Sequence, residues 1–160
     1  NIYRFPSIFM LTITRKLEFD AGHRIPDHHS QCRNLHGHRY VLHITLEGDP
    51  LEKDGDSGNG MILDFSEVKK LAETHLVSHW DHAFLVYEKD TPVRQFLDSL
   101  PNHKTVVLDR VPTVENMAQV AFDTLKNVYD SFFGRSLVLK SVRIYETPNC
   151  WAEVSAPTGS

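Results

Sequence analysis

Two runs of strict alternation constrain this chain more than any other feature. Leu11, Ile13, Leu17 and Phe19 alternate with Thr12, Thr14, Lys16 and Glu18. That two-residue period marks a strand with one buried and one wet face. It returns from His38 to Glu47, where Tyr40, Leu42, Ile44 and Leu46 share a side. Half-buried strands need an apolar cover, and helices can supply it. Asp64-Phe65-Ser66-Glu67 opens one helix. Asp64 fits the N-cap, Glu67 fits a capping box, and Phe65, Val68, Leu71, Ala72, His75, Leu76 and His79 recur at helical spacing. Pro112-Thr113 opens a second, with Thr113 as N-cap and an apolar stripe from Val114 to Phe132, stopped by Gly134.

The rest of the chain fits around these pieces. Residues 24–34 are polar and carry Pro26, so they read as loop, and the Asp54–Gly60 stretch is rich in turn residues. A short helix from Pro92 through Leu100 and a short strand from Thr105 to Asp109 fall between the long helices. Leu137 to Glu146 reads as a third long strand and Trp151 to Ser155 as a last short one. The order strand–strand–helix–helix–strand–strand predicts an α+β fold, an antiparallel sheet with its helices on one face. One domain is expected over residues 9–156, with 1–8 as an N-terminal extension and 157–160 as a tail.

At 160 residues the chain is long enough to bury one proper core. A formal net charge of −4 gives no electrostatic reason to expect nucleic acid as a partner. No apolar stretch approaches the ~20 residues of a membrane helix, and Ile8-Phe9-Met10-Leu11 is too short for a signal segment. Cys32 and Cys150 are therefore expected to be reduced thiols in a cytoplasmic protein.

Ten histidines are many for this length, and they cluster. His36 and His38 stand two apart, on one face of an extended strand, and flank a glycine that leaves room for a metal. His23 closes the preceding strand. Three imidazoles so placed can bind a metal and leave a position open, as catalytic zinc sites do. Imidazole ligation also suits copper, nickel or iron; zinc is the redox-silent default. His28 and His29 are either extra ligands or solvent-facing.

Cys32, four residues before His36, has three readings: an inert small hydrophobe, a fourth ligand that closes a structural zinc site, or a thiolate favoured by Arg33 and a nearby metal. Asp81-His82 is either an ordinary loop pair or an acid–base pair in which the carboxylate orients the imidazole. Glu146 shares a face with Val142 and Ile144, so its carboxylate needs a partner. A local Arg or Lys would serve, as would the guanidine-like edge of a pterin or guanine. Thr113 and Glu115 are explained as cap and dipole partner. There is no GxGxxG.

Together these residues resemble the 6-pyruvoyl-tetrahydropterin synthase / 6-carboxy-tetrahydropterin synthase family. The pieces occur in order: Phe19-Asp20-Ala21-Gly22-His23, Cys32 with His36-Gly37-His38, Gly60-Met61-Ile62-Leu63-Asp64-Phe65, Asp81-His82 with Leu85, Pro112-Thr113-Val114-Glu115-Asn116, and Tyr145-Glu146-Thr147. The resemblance implies the tunnelling fold, a four-stranded antiparallel sheet backed by two helices. It also implies trimers that stack, in all a hexamer, with active sites between subunits.

Carried over by position, His23, His36 and His38 hold Zn2+, Cys32 is the catalytic thiolate, and Asp81 and His82 form a dyad from a neighbouring subunit. Glu146 anchors the pterin ring, and Thr113 and Glu115 lie near that pocket. The implied substrate is 7,8-dihydroneopterin triphosphate, with Arg24, Arg33, Arg39 and Lys16 as candidates for its phosphates. Three residues separate Cys32 from His36, as in the queuosine-pathway branch, whose members make 6-carboxy-5,6,7,8-tetrahydropterin and release acetaldehyde and triphosphate. The animal branch has a longer gap. Two departures stand out: Trp80 in place of the usual leucine, and a longer segment over residues 86–110.

Overall fold

The computed structural model describes residue 2 and residues 10–158. Apart from Ile2, the expected extension over 1–8 lies outside the described residues, as do the last two residues of the tail. The long strands form where alternation places them: β1 (Thr12–His23), β2 (His36–Gly48) and β5 (Leu137–Thr147), with β6 (Cys150–Ser155) at one edge. These four pair antiparallel in the order β1-β2-β5-β6.

The sheet does not stop there. β3 (Ala83–Tyr87) pairs parallel to β1, and β4 (Thr105–Leu108) pairs parallel to β3. The result is a six-stranded mixed sheet, which corrects the expected four-stranded antiparallel one. β3 is Ala-Phe-Leu-Val-Tyr, a continuous apolar run with no polar alternation. Strands covered on both faces read that way, so a two-residue period could not reveal this one.

Among the described residues, three substantial helices cover the sheet. α1 (Phe65–Ala72) is capped by Asp64, whose carboxylate accepts from the Ser66 N–H at 2.7 Å. It continues through a π-helical turn, Glu73–Val77, into the short α2 (Ser78–Trp80). α4 (Val114–Phe133) starts at the Thr113 cap and ends at Gly134, whose φ of 62° suits glycine. α1 and α4 pack on one face, where Val68, Leu71, Met117, Ala121 and Leu125 meet Phe19, Tyr40, Leu42, Ile44 and Ile144 in the main core. The Tyr129 hydroxyl donates to the Val68 carbonyl at 3.0 Å and ties the two helices together. Trp80 fills the same core, edge-on to Phe19.

α3 (Thr91–Asp98) breaks the expected one-sided arrangement. Leu85 of β3 enters the main core, while its neighbours Phe84 and Val86 join Val93 and Leu97 in a second, smaller one. Successive strand residues point to opposite faces. α3 therefore lies on the face away from α1 and α4.

Candidate metal centre and active site

The β1–β2 ladder sets the histidines. His23 is paired with His36 and Ala21 with His38, so the three rings gather at one end of the sheet on the helix-covered side. Their ligand nitrogens lie within 4.8 Å of one another. His23 is almost wholly buried. Its Nδ1 lies 2.7 Å from the Pro112 carbonyl oxygen, and Nδ1 of His36 lies 2.7 Å from that of Asn34. A carbonyl only accepts, so both Nδ1 atoms carry a hydrogen, and in the neutral rings both Nε2 atoms present lone pairs. Those two Nε2 atoms are 3.1 Å apart.

Two bare lone pairs at that distance repel unless a cation lies between them. Protonation of His23 is not the natural remedy. Burial drives the pKa of His23 down to about 4, with further lowering from His36 and His38. Burial lowers that of His38 as well. Two nitrogens on a tetrahedral zinc would stand roughly 3.3 Å apart. The lowered basicity of His23 and His38, the two carbonyl-held rings and this spacing all fit a divalent metal, and the carbonyl partners supply the outer support such ligands need.

Glu146 points to the same place. Its Oε1 lies 3.5 Å from His23 Nε2 and 3.8 Å from His38 Nε2. Among the described residues no Lys or Arg pairs with it, so the local salt bridge considered from sequence is absent. The Tyr40 hydroxyl sits 3.4 Å from His23 Nδ1, and burial, helped by Glu146, raises its pKa far above normal.

The other motif residues are placed differently. Cys32 lies in an exposed 3-10 turn, Gln31–Arg33, and is not part of the histidine cluster. Arg33 donates to the carbonyls of His29 and Ser30. His28 and His29 stack on each other and do not join the trio. Thr113 accepts from the Asn116 N–H at 3.2 Å, and Glu115 is exposed on the first turn of α4. What that motif brings to the trio is the carbonyl of Pro112, a backbone atom that no residue-type signal marks.

Asp81 and His82 follow α2. Asp81 Oδ2 lies 2.9 Å from His82 Nδ1, and Asp81 Oδ1 accepts from the Asp20 N–H at 2.9 Å. The Asp20 carbonyl in turn accepts from the His82 N–H at 2.6 Å. Both main-chain groups of Asp20 thus hold the dyad, and His82 adopts a φ of 60° to meet them. The Asp20 N–H keeps the Asp81 carboxyl below the usual range, with His82 adding to it. Lys104 caps the preceding turn by donating to the carbonyls of Ser78 and Asp81 at 2.6 and 2.5 Å.

Asp20 alternates with Ala21 and faces away from α1 and α4. The dyad beside it therefore opens toward the face opposite the trio. A shallow depression there is lined by Asp20, Gly22, Arg39 and His82 and reaches His36 and His38. Of the four basic candidates, Arg39 pairs with Glu18 and Asp20, and Arg24 is committed to Asp90.

The chain is similar to known proteins along most of its length. Residues 12–157 match the family model for 6-pyruvoyl tetrahydropterin synthase. A protein of Rickettsia conorii named 6-carboxy-5,6,7,8-tetrahydropterin synthase is 36% identical over 147 residues, covering 91% of this chain and 100% of that one. The Haemophilus influenzae protein of the same name is 32% identical, covering 90% of this chain and 98% of its own length. The structure of Caenorhabditis elegans 6-pyruvoyl tetrahydropterin synthase superposes with a TM-score of 0.63 at 27% identity over 98% of this chain and 100% of that one. An uncharacterized protein from Wolinella succinogenes shares the fold, with a TM-score of 0.74 at 20% identity over 93% of this chain and 99% of its own. With its motifs in order along a match of that length, the chain belongs to the 6-pyruvoyl tetrahydropterin synthase family.

Proposed function

We infer that this protein is a zinc-dependent 6-carboxy-5,6,7,8-tetrahydropterin synthase. It converts 7,8-dihydroneopterin triphosphate, with loss of triphosphate and acetaldehyde, in the route to queuosine. One observation carries the reading: near-full-length relatives of that name match a chain whose three histidines converge, two of them with tautomers set by main-chain carbonyls. His23, His36 and His38 are the residues that would hold the metal. When bound, zinc supplies Lewis acidity toward the hydroxyls of the substrate side chain.

The chain's own groups do the rest. The Cys32 thiolate removes a proton from a side-chain carbon. His82, oriented by Asp81, moves protons on the opposite face. Glu146 binds the amino-pyrimidinone edge of the pterin and holds the reacting carbon in place. Thr113 and Glu115 shape the neighbourhood of that pocket from the start of α4. Within one chain the trio and the dyad open toward opposite faces of β1. A site that takes its dyad from a second copy, in a trimer-based hexamer, resolves this. Among the described residues no helix is long and apolar enough to cross a membrane; a cytoplasmic setting belongs to the same proposal.

A second reading, 6-pyruvoyl-tetrahydropterin synthase, has the 27% identity to the Caenorhabditis elegans enzyme in its favour. Mass spectrometry of the product decides. Incubation with dihydroneopterin triphosphate is expected to give a carboxylated tetrahydropterin with acetaldehyde and triphosphate. A pyruvoyl product moves the protein to the sister activity. No turnover by zinc-loaded protein overturns both.

A further inference from the structure

Three consecutive residues, the last two of β1 and the one after it, are each held by the segment that runs from β3 to the start of α4. At Gly22 the Phe84 ring lies so close that a Cβ would sit 2.7 Å from its Cδ2. At His23 the Pro112 carbonyl accepts the Nδ1 hydrogen. At Arg24, Nε and Nη2 donate to the two carboxylate oxygens of Asp90 at 2.7 and 2.6 Å. The next residue, Ile25, donates its N–H to the Cys32 carbonyl at 2.8 Å. The turn that bears the thiol therefore hangs from the main chain one residue beyond the Arg24–Asp90 pair.

Asp90 occupies the N-cap position of α3, where an aspartate ordinarily accepts from the first helical N–H groups. It makes no such bond. Its side chain is 2% exposed, against 26% for that of Arg24, and both of its oxygens go to the guanidinium. A buried ion pair is a weak source of net stability. A two-point fork, however, fixes distance and direction together. The carboxylate has been taken from its own helix and given to a residue 66 positions earlier in the chain.

The geometry points to Arg24 and Asp90 as a positioning pair for the thiol: by locking the main chain after His23, they set where Ile25 holds the Cys32 turn. Their role is exerted through the main chain and the thiol, with the Arg24 guanidinium committed to Asp90. The inference rests on Cys32 being the proton-abstracting group of the function proposed above. It also gives the long segment over residues 86–110 a task, since that segment carries Asp90 to the site.

The test uses zinc-loaded full-length protein and two variants. Arg24→Lys keeps the charge and loses the fork; Asp90→Asn keeps the shape and loses the charge. Cys32 alkylation by iodoacetamide is followed by peptide mass spectrometry, with Cys150 on the β5–β6 hairpin as internal reference. In both variants the Cys32-to-Cys150 rate ratio is expected to shift several-fold while zinc content and far-UV circular dichroism hold. A misplaced base is also expected to lower kcat by roughly ten- to a hundred-fold with KM nearly unchanged.

An unchanged alkylation ratio, or a wild-type kcat, overturns the proposal and leaves the pair a mere fastening. If Asp90→Asn does not fold, Arg24→Lys decides alone. If wild-type protein turns over no pterin triphosphate, the proposed function fails by that result. The alkylation ratio then still shows whether the pair governs the thiol.

Discussion

Gly37 lies against the carbonyl of Ala21: a Cβ at Gly37 would sit 2.9 Å from that oxygen. The glycine between His36 and His38 is thus required by the close approach of β1. Gly37→Ala must push two backbones apart at the point where His23, His36 and His38 meet. The expected cost is about 1–3 kcal/mol, read as a lower melting temperature, together with weaker zinc retention against a chelator. An alanine variant that matches wild type in both would show that the ladder has slack there.

The metal-free protein is expected to lose stability on mild acidification. His23 has a folded pKa of about 4, below its ordinary 6.5. Between those values the unfolded chain binds more protons than the folded one, so stability is full above about pH 6.5 and falls as the pH drops toward 4. The loss attributable to His23 is about 3 kcal/mol at the low end, and His38 acts in the same direction. Urea denaturation of chelator-treated protein across this range measures it. A flat profile would contradict a His23 held neutral by burial.

Asp81→Asn removes the charge that orients His82 and leaves the shape. The bond from Asp20 N–H to Oδ1 can survive in the amide. Fold and zinc content are expected to hold while kcat falls by about two orders of magnitude. Equal loss of zinc and activity would mean that the dyad supports the metal site rather than proton transfer.

Thr113→Ala removes the cap of α4. It is expected to cost about 1 kcal/mol and to leave zinc stoichiometry intact, because the contact to His23 comes from the Pro112 carbonyl. Thermal denaturation and metal analysis of the same preparation check both parts. Loss of metal at unchanged stability would instead give the threonine a direct role at the centre.

The sequence was legible wherever a signal repeats along the chain. Alternation located β1, β2 and β5, and cap residues located the starts of α1 and α4. His36 and His38 share a strand face and His23 lies directly across from His36, which spacing could suggest. β3 was not legible, because a strand covered on both faces has no alternation to read. Nor was Asp90, whose place before Thr91-Pro92 reads as an ordinary helix start, nor Pro112 and Asp20, which serve the site through main-chain atoms.

X-ray absorption at the zinc edge of the loaded protein tests the centre most directly. A first shell of nitrogen and oxygen only, near 2.0–2.1 Å with imidazole outer-shell scattering, is the expected result. A sulfur scatterer near 2.3 Å would make Cys32 a fourth ligand and contradict the open, three-histidine site.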